Sequence, residues 1–249
     1  MEEFFRYIEV NEWLIPLAVF LSLSFCLFLE TYIPLFAHKY FKFRHLCVNS
    51  LFLITMVCVL APLIALHSAV FIWQAEAQMG LFYLIDLPGW AKLMFGILIL
   101  DLIGQYGVHY LLHRVKWMWR LHMIHHSDTH VEAKTGFRHH LGDVVFRNLA
   151  TLFAVSLFGI PLACYLVYQL ITIFFAYLAH SNIQLPAWLD KKLSNVIITP
   201  NLHKFHHHHE RPWTDSNYGN ILAVWDRLFG TLSGSGGCRK YSLRCRRVA

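Results

Sequence analysis

Seventeen histidines stand in this chain, more than the fifteen aspartates and glutamates together. Eight of them fall into three tight groups. His109 and His113 form H-x3-H, His122, His125 and His126 form H-x2-HH, and His203, His206 and His207 repeat H-x2-HH far downstream. On a helix, positions three and four apart share a face, with Cβ atoms about 5–6 Å apart. H-x3-H therefore aims two imidazoles at one point, and H-x2-HH presents three that splay to either side. A single zinc takes about four ligands, so eight imidazoles point to two metal ions, at the roughly 3.5–4 Å separation of two-metal catalysis. His140 and His180 stand apart as candidate additions. Packing accounts for isolated histidines such as His38, His45 and His67. It does not account for two H-x2-HH motifs and an H-x3-H in one apolar chain.

Carboxylates supply a second layer. Asp101 lies two turns before His109 inside an apolar run, where an ionisable residue is a functional candidate by default. It would accept a hydrogen bond from a ligand imidazole and fix its tautomer, or else pair in the interior with Gln105 or Tyr106. Asp143 and Asp215 are similar candidates.

The elements that must position these residues are apolar. The chain of 249 residues is 57% hydrophobic and 14% charged, with a mean hydropathy of +0.45, which points to a multi-span membrane protein. Residues 14–36, 46–73 and 91–113 are long enough to cross a bilayer, which takes about 20 apolar residues. The apolar run 144–179 is broken by Gly159-Ile160-Pro161 and reads as a helical hairpin or a pair of helices. The fold class expected is an all-α integral membrane protein with about four transmembrane helices and a cytoplasmic helical cap that holds the histidines. Three regions follow: an anchor with two spans over 1–90, a catalytic domain over 91–232, and a flexible basic tail over 233–249. The acidic N-terminus lacks the basic start of a signal peptide, so the first span is expected to stay as an anchor. The 38–45 loop is basic, whereas the N-terminus and the 74–90 loop are acidic. The positive-inside rule then places 38–45, the 114–143 block and the C-terminal region in the cytoplasm.

Other chemistries fit less well. The six cysteines form no CxxC pair, so neither a disulfide framework nor a cysteine zinc site is expected. HExxH, which a zinc hydrolase would carry, is absent. The net charge of +6 comes with no nucleic-acid motif. A histidine-rich metal transporter or sensor is the non-enzymatic alternative. Transporters place their ligands near mid-membrane, and here the histidines gather at the ends of the spans.

The motifs also resemble a family. DLIGQYGVHYLLHRVKWMWRLHMIHHS (101–127), TGFRHHLGD (135–143) and TPNLHKFHHHHERPWTDSNYGNILAVWDRLFGT (199–231) are similar to the motifs of the fatty acid hydroxylase / sterol desaturase superfamily of membrane di-iron oxygenases. Within the middle block His140 matches the family's histidine and Asp143 its acid, with Leu141 in place of proline. The resemblance implies that His109, His113, His122, His125, His126, His203, His206 and His207 ligate two iron ions, with His140 and His180 as further ligands. It implies O2 as co-substrate and hydroxylation, or desaturation, of a sterol, fatty acyl or related lipid. Zinc has no redox chemistry, whereas imidazole also suits iron. Electrons would come from a cytochrome b5-like protein or a ferredoxin with its reductase. A basic face of Lys116, Arg120, Lys191, Lys192 and Arg211 would dock such an acidic carrier.

Overall fold

A computed structural model describes residues 1–36, 42–211 and 213–234. His38, much of the 38–45 loop and the tail beyond Gly234 lie outside the described residues. The described chain is helical. Its elements are α1 (Glu2–Val10), α2 (Leu14–Tyr32), α3 (Lys42–Ala77), α4 (Leu81–Leu84), α5 (Gly89–Leu100), α6 (Val108–Arg114), α7 (Lys116–His122), α8 (Leu141–Phe158), α9 (Leu162–His180), α10 (Ala187–Leu193), α11 (Pro200–His206) and α12 (Val224–Leu228).

Five helices are long and apolar enough to cross a membrane: Leu14–Tyr32, Phe43–Leu84, Gly89–Arg114, Leu141–Phe158 and Leu162–His180. At 1.5 Å per residue, the 19 residues of α2 span about 28 Å, close to the thickness of a hydrocarbon core. The outer faces are apolar and uncovered: Phe20, Phe28, Leu51, Ile54, Ile64, Ile72 and Phe153 are all exposed. A water-facing protein would not leave so much apolar surface open. The chain is an integral membrane protein.

The apolar run 144–179 resolves into two helices, α8 and α9. Gly159 ends α8 in the left-handed conformation, at φ 70°, and Pro161 caps α9. Gly159 also lies against Gly80, at the end of α3; a Cβ on Gly80 would sit 2.3 Å from the Gly159 nitrogen. Only glycines allow the two turns to meet there. Helix α9 packs against α1, α2, α5 and α11, and α3 packs against α8. The core between them is built from Leu100, Ala154, Val155, Ile160, Cys164 and Tyr168.

The helix that begins with α5 continues to Arg114 through a π-helical stretch, Asp101–Gly107. Such wide turns are rare and occur often at functional sites. The stretch leads directly into α6, where His109 and His113 are buried. Gly104 lets α8 approach it: a Cβ there would stand 2.6 Å from Thr151 Oγ1.

One end of the bundle is closed by a cap of short elements, α7, the 3-10 turns His125–Ser127 and Ala133–Phe137, α10, α11 and α12. The two N-terminal spans are fastened to it. Glu30, near the end of α2, accepts backbone N–H groups from Ala133 and Asn182, each at 2.7 Å. His45, near the start of α3, lies 2.9 Å from both Asp128 and Glu132.

Candidate metal centre

Nine imidazoles meet inside the cap in two adjoining groups. One holds His109, His113, His122, His126 and His206; the other holds His125, His180, His203 and His207. Within each group one ligand atom per residue lies within 4.8 Å of every other. All nine residues are at most 6% exposed.

The local folding explains the division. Helix α7 stops at His122, and a 3-10 turn carries His125 and His126. Helix α11 begins with the side chain of Thr199 accepting from Leu202 N–H, has Pro200 in its first turn, and ends at His206 with His207 as its C-cap. In both H-x2-HH motifs the first and last histidines, four apart, stay together. The middle one crosses to the other group. His125 thus joins His203 and His207, and His206 joins His122 and His126. His109 and His113 come from α6, and His180 ends α9.

Hydrogen bonds aim the rings. Nδ1 of His109 donates to the Tyr218 carbonyl at 2.8 Å, that of His206 to Ser216 at 2.6 Å, that of His125 to Arg138 at 3.2 Å, and that of His180 to Ala176 at 2.7 Å. His122 Nδ1 donates to Asp143 Oδ2 at 2.7 Å, and His113 Nδ1 to Asp215 Oδ1 at 3.4 Å. A carbonyl or carboxylate oxygen accepts only, so each of these six rings presents a bare Nε2 lone pair inward. These lone pairs face one another. His109 and His122 Nε2 are 3.0 Å apart and His125 and His180 Nε2 are 2.9 Å apart; Nε2 of His203, whose Nδ1 is buried without a hydrogen-bond partner, lies 2.9 Å from that of His180. Nε2 of His113, His126, His206 and His207 is buried without a hydrogen-bond partner.

Facing lone pairs at such distances repel unless a cation lies among them. Two nitrogens each about 2.0–2.1 Å from one ion stand about 2.9 Å apart when their bonds meet near a right angle. The donor set therefore fits one metal ion per group. Protonation is not the alternative. Burial pushes His125, His126, His203, His206 and His207 well below the ordinary imidazole range, and crowding by neighbouring imidazoles adds to it. Burial takes His122 down to about 3, against the opposing pull of Asp143. Neutral imidazole is the ligand form.

The remaining candidates lie elsewhere. His140 belongs to neither group; its Nδ1 accepts from Gly142 N–H at the start of α8. Asp101 touches no imidazole, and it is not hydrogen-bonded to Gln105 or Tyr106. Its carboxylate accepts from Trp225 Nε1 at 2.9 Å and from the backbone of Ile221 and Leu222. It thereby ties the 219–226 segment to the π-helical stretch. Asp143 takes three donors: His122, His139 at 3.0 Å and Arg147 at 2.8 Å. Burial alone would raise the Asp215 carboxyl, but His113 and Arg211 hold it below the usual carboxylate range; Arg211 Nε lies 2.7 Å away.

Three supporting residues escape a reading by histidine spacing. Asp226 accepts from the backbone of Tyr218 and Gly219 and so steadies the carbonyl that orients His109. Arg147 anchors Asp143 and reaches Gln105 at 3.0 Å. His139 lies flat against His125, with ring centroids 4.4 Å apart and planes 9° from parallel. The Trp-Asp-Arg run around Asp226 was a visible signal; His139 and Arg147 had none beyond their nearness to Asp143.

Comparison with known proteins agrees with the motifs. The family model described as fatty acid hydroxylase matches residues 93–231. An ornithine lipid hydroxylase of Rhizobium tropici is 31% identical over 140 residues, covering 56% of this chain and 41% of its own. The alkylglycerol monooxygenase of Homo sapiens is 26% identical over 176 residues, covering 68% of this chain and 36% of its own. A very-long-chain aldehyde decarbonylase of Oryza sativa subsp. indica is 30% identical over 196 residues, covering 76% of this chain and 69% of its own. The chain thus spans less than half the length of the first two relatives. No solved structure matches it significantly.

Proposed function

The chain belongs to the fatty acid hydroxylase family, and from that premise we propose that it is a membrane lipid oxygenase with a histidine-held di-iron centre. One ion would be held by His109, His113, His122, His126 and His206, the other by His125, His180, His203 and His207. The observation that carries this reading is the pairing of inward-facing, hydrogen-bond-oriented Nε2 atoms in two adjoining groups. Two bound irons would supply the redox capacity to activate O2 for insertion into an unactivated C–H bond. The overall balance is lipid C–H plus O2, two electrons and two protons, giving the alcohol and water.

The protein's own residues do the rest. Six Nδ1 donors hold the rings in the ligating tautomer. Asp143 and Asp215 place negative charge behind His122 and His113, partly offsetting the charge of two cations. Burial of the nine imidazoles keeps water from the centre. His113 and His180 stand at the ends of the crossing helices Gly89–Arg114 and Leu162–His180, so the groups lie where those helices leave the apolar layer. A substrate dissolved in the bilayer, with its polar end at the surface, suits that position. The relatives named for ornithine lipid hydroxylation and alkylglycerol monooxygenation support a polar-headed lipid and favour hydroxylation over desaturation.

We place the cap in the cytoplasm because Lys116, Arg120, Lys191, Lys192 and Arg211 are carried on it and Arg114 ends the crossing helix beneath it, as the positive-inside rule requires. Those cations fit an acidic electron carrier of the cytochrome b5 or ferredoxin type. A transporter reading loses ground because both groups sit at one end of the bundle and not at its middle.

The test is to purify the full chain in nanodiscs, measure its metal, and supply 18O2, a reductant and extracted membrane lipids. Two irons per chain and one labelled oxygen in a lipid product are expected. A single redox-silent zinc with no O2 uptake would overturn the reading.

A further inference from the structure

His139 lies outside both imidazole groups, yet it reaches both, one through Asp143 and the other by ring stacking. Its Nδ1 donates to Asp143 Oδ2 at 3.0 Å, the same oxygen that accepts from His122 at 2.7 Å. The other Asp143 oxygen is held by Arg147. The carboxylate that orients His122 is thus fixed from three sides. The ring of His139 meanwhile backs His125, face to face at 4.4 Å. His122 belongs to the five-histidine group and His125 to the four-histidine group.

We infer that His139 is a positioning residue that locks the two metal groups into one register, acting on the first by a hydrogen bond and on the second by stacking. The inference rests on the di-iron reading above. His139 is not itself arranged as a ligand of the four-histidine group. Its ring is nearly parallel to that of His125, so the nitrogens of the two rings lie in separate parallel planes and do not converge. Its Nδ1 is committed to Asp143, so in the third close cluster, with His122 and Asp143, that nitrogen acts as a hydrogen-bond donor.

The two arms can be cut separately. His139→Phe keeps a flat ring against His125 and removes the donor to Asp143. His139→Asn keeps an N–H donor near the place of Nδ1 and removes the ring. Cobalt(II) is the probe, titrated into metal-free full-length chain in detergent and followed by visible absorption. His206→Ala, which cripples the five-histidine group, and His203→Ala, which cripples the other, assign each spectrum to its group. Wild type is expected to take up two equivalents. His139→Phe is expected to weaken the five-histidine group about tenfold and to leave the other within about twofold, the size of effect that outer-shell partners have on metal affinity. His139→Asn is expected to do the reverse.

Equal weakening of both groups in both variants would mean a general effect on folding and would overturn the inference. So would two unmoved affinities in both variants. A third equivalent of cobalt bound by wild type and lost in both variants would make His139 a ligand, which also overturns it. Wild type taking up no cobalt would overturn the di-iron reading and this inference together, whereas two tight equivalents with unmoved variants would overturn this inference alone.

Discussion

At the scale of the residue, ligand type and ligand grouping have different origins. The imidazoles announce themselves by H-x3-H and H-x2-HH spacing, and all eight of those residues meet in the cap. The division of the nine, with His180 added, into five and four does not follow from spacing on a helix, because α7 ends at His122 before its motif is complete. The middle histidine of each motif crosses over only once the turns are formed. Removing one crossing residue is therefore informative. His206→Ala is expected to lower the metal content from two ions to about one per chain, read by elemental analysis, while the other group fills. Protonation provides a second check at this scale. His122 has its pKa lowered to about 3 by burial, and His125, His126, His203, His206 and His207 move the same way. In the metal-free chain these groups stay neutral when folded and take up protons when unfolded below about pH 6.5. The unfolded state then binds more protons, so stability falls as the pH drops from about 6.5 toward 3. The metal-free protein is expected to melt at a markedly lower temperature at pH 5 than at pH 7.5, and bound metal is expected to flatten that dependence near neutrality.

At the scale of the element, two glycines and two clasps decide how the helices meet. The Gly159-Ile160-Pro161 break was legible as a turn between helices, because glycine and proline punctuate an apolar run. Its contact with Gly80 was not legible, since nothing local to either residue names the other. Gly159→Ala forces a side chain into the left-handed region and against Met79 O and Tyr83. It is expected to cost about 1–3 kcal/mol, measured as a lower unfolding temperature in detergent. The clasps were hidden for a similar reason. His45 reads as an ordinary polar residue at the start of a span, and only the fold brings Asp128 and Glu132 to 2.9 Å from it. Cutting a buried charged contact on one side typically costs about 3–5 kcal/mol. His45→Leu is therefore expected to destabilise the chain by a similar amount, with lost metal retention on chelator challenge as the cap loosens. Asp101 teaches the same lesson in reverse. Its place inside a span marked it as important, but its partners are the backbone of Ile221 and Leu222 and the indole of Trp225.

At the scale of the molecule, five apolar helices carry a cap that holds a buried, histidine-lined interior. Membrane residence and the single-ended placement of the histidines were both readable from hydropathy and motif position. The docking of an acidic electron carrier on the cap's basic residues has a direct measurement. Lys116→Glu with Arg120→Glu is expected to slow reduction of the proposed iron centre by an acidic protein donor and to remove most of its salt dependence, while reduction by dithionite is unchanged. The clasps at Glu30 and His45 carry a wider consequence. The 36 residues of α3 reach about 54 Å, well beyond a hydrocarbon layer of about 30 Å, and His45 stands near the start of that helix. Glu30 grips the N–H of Asn182, two residues past His180. Any tilt that α2 or α3 adopts to suit a thinner or thicker bilayer pulls on the very turns that carry the imidazoles. The lipid around this protein is then a mechanical neighbour of the imidazole cage, because the two N-terminal spans hold the turns beside it.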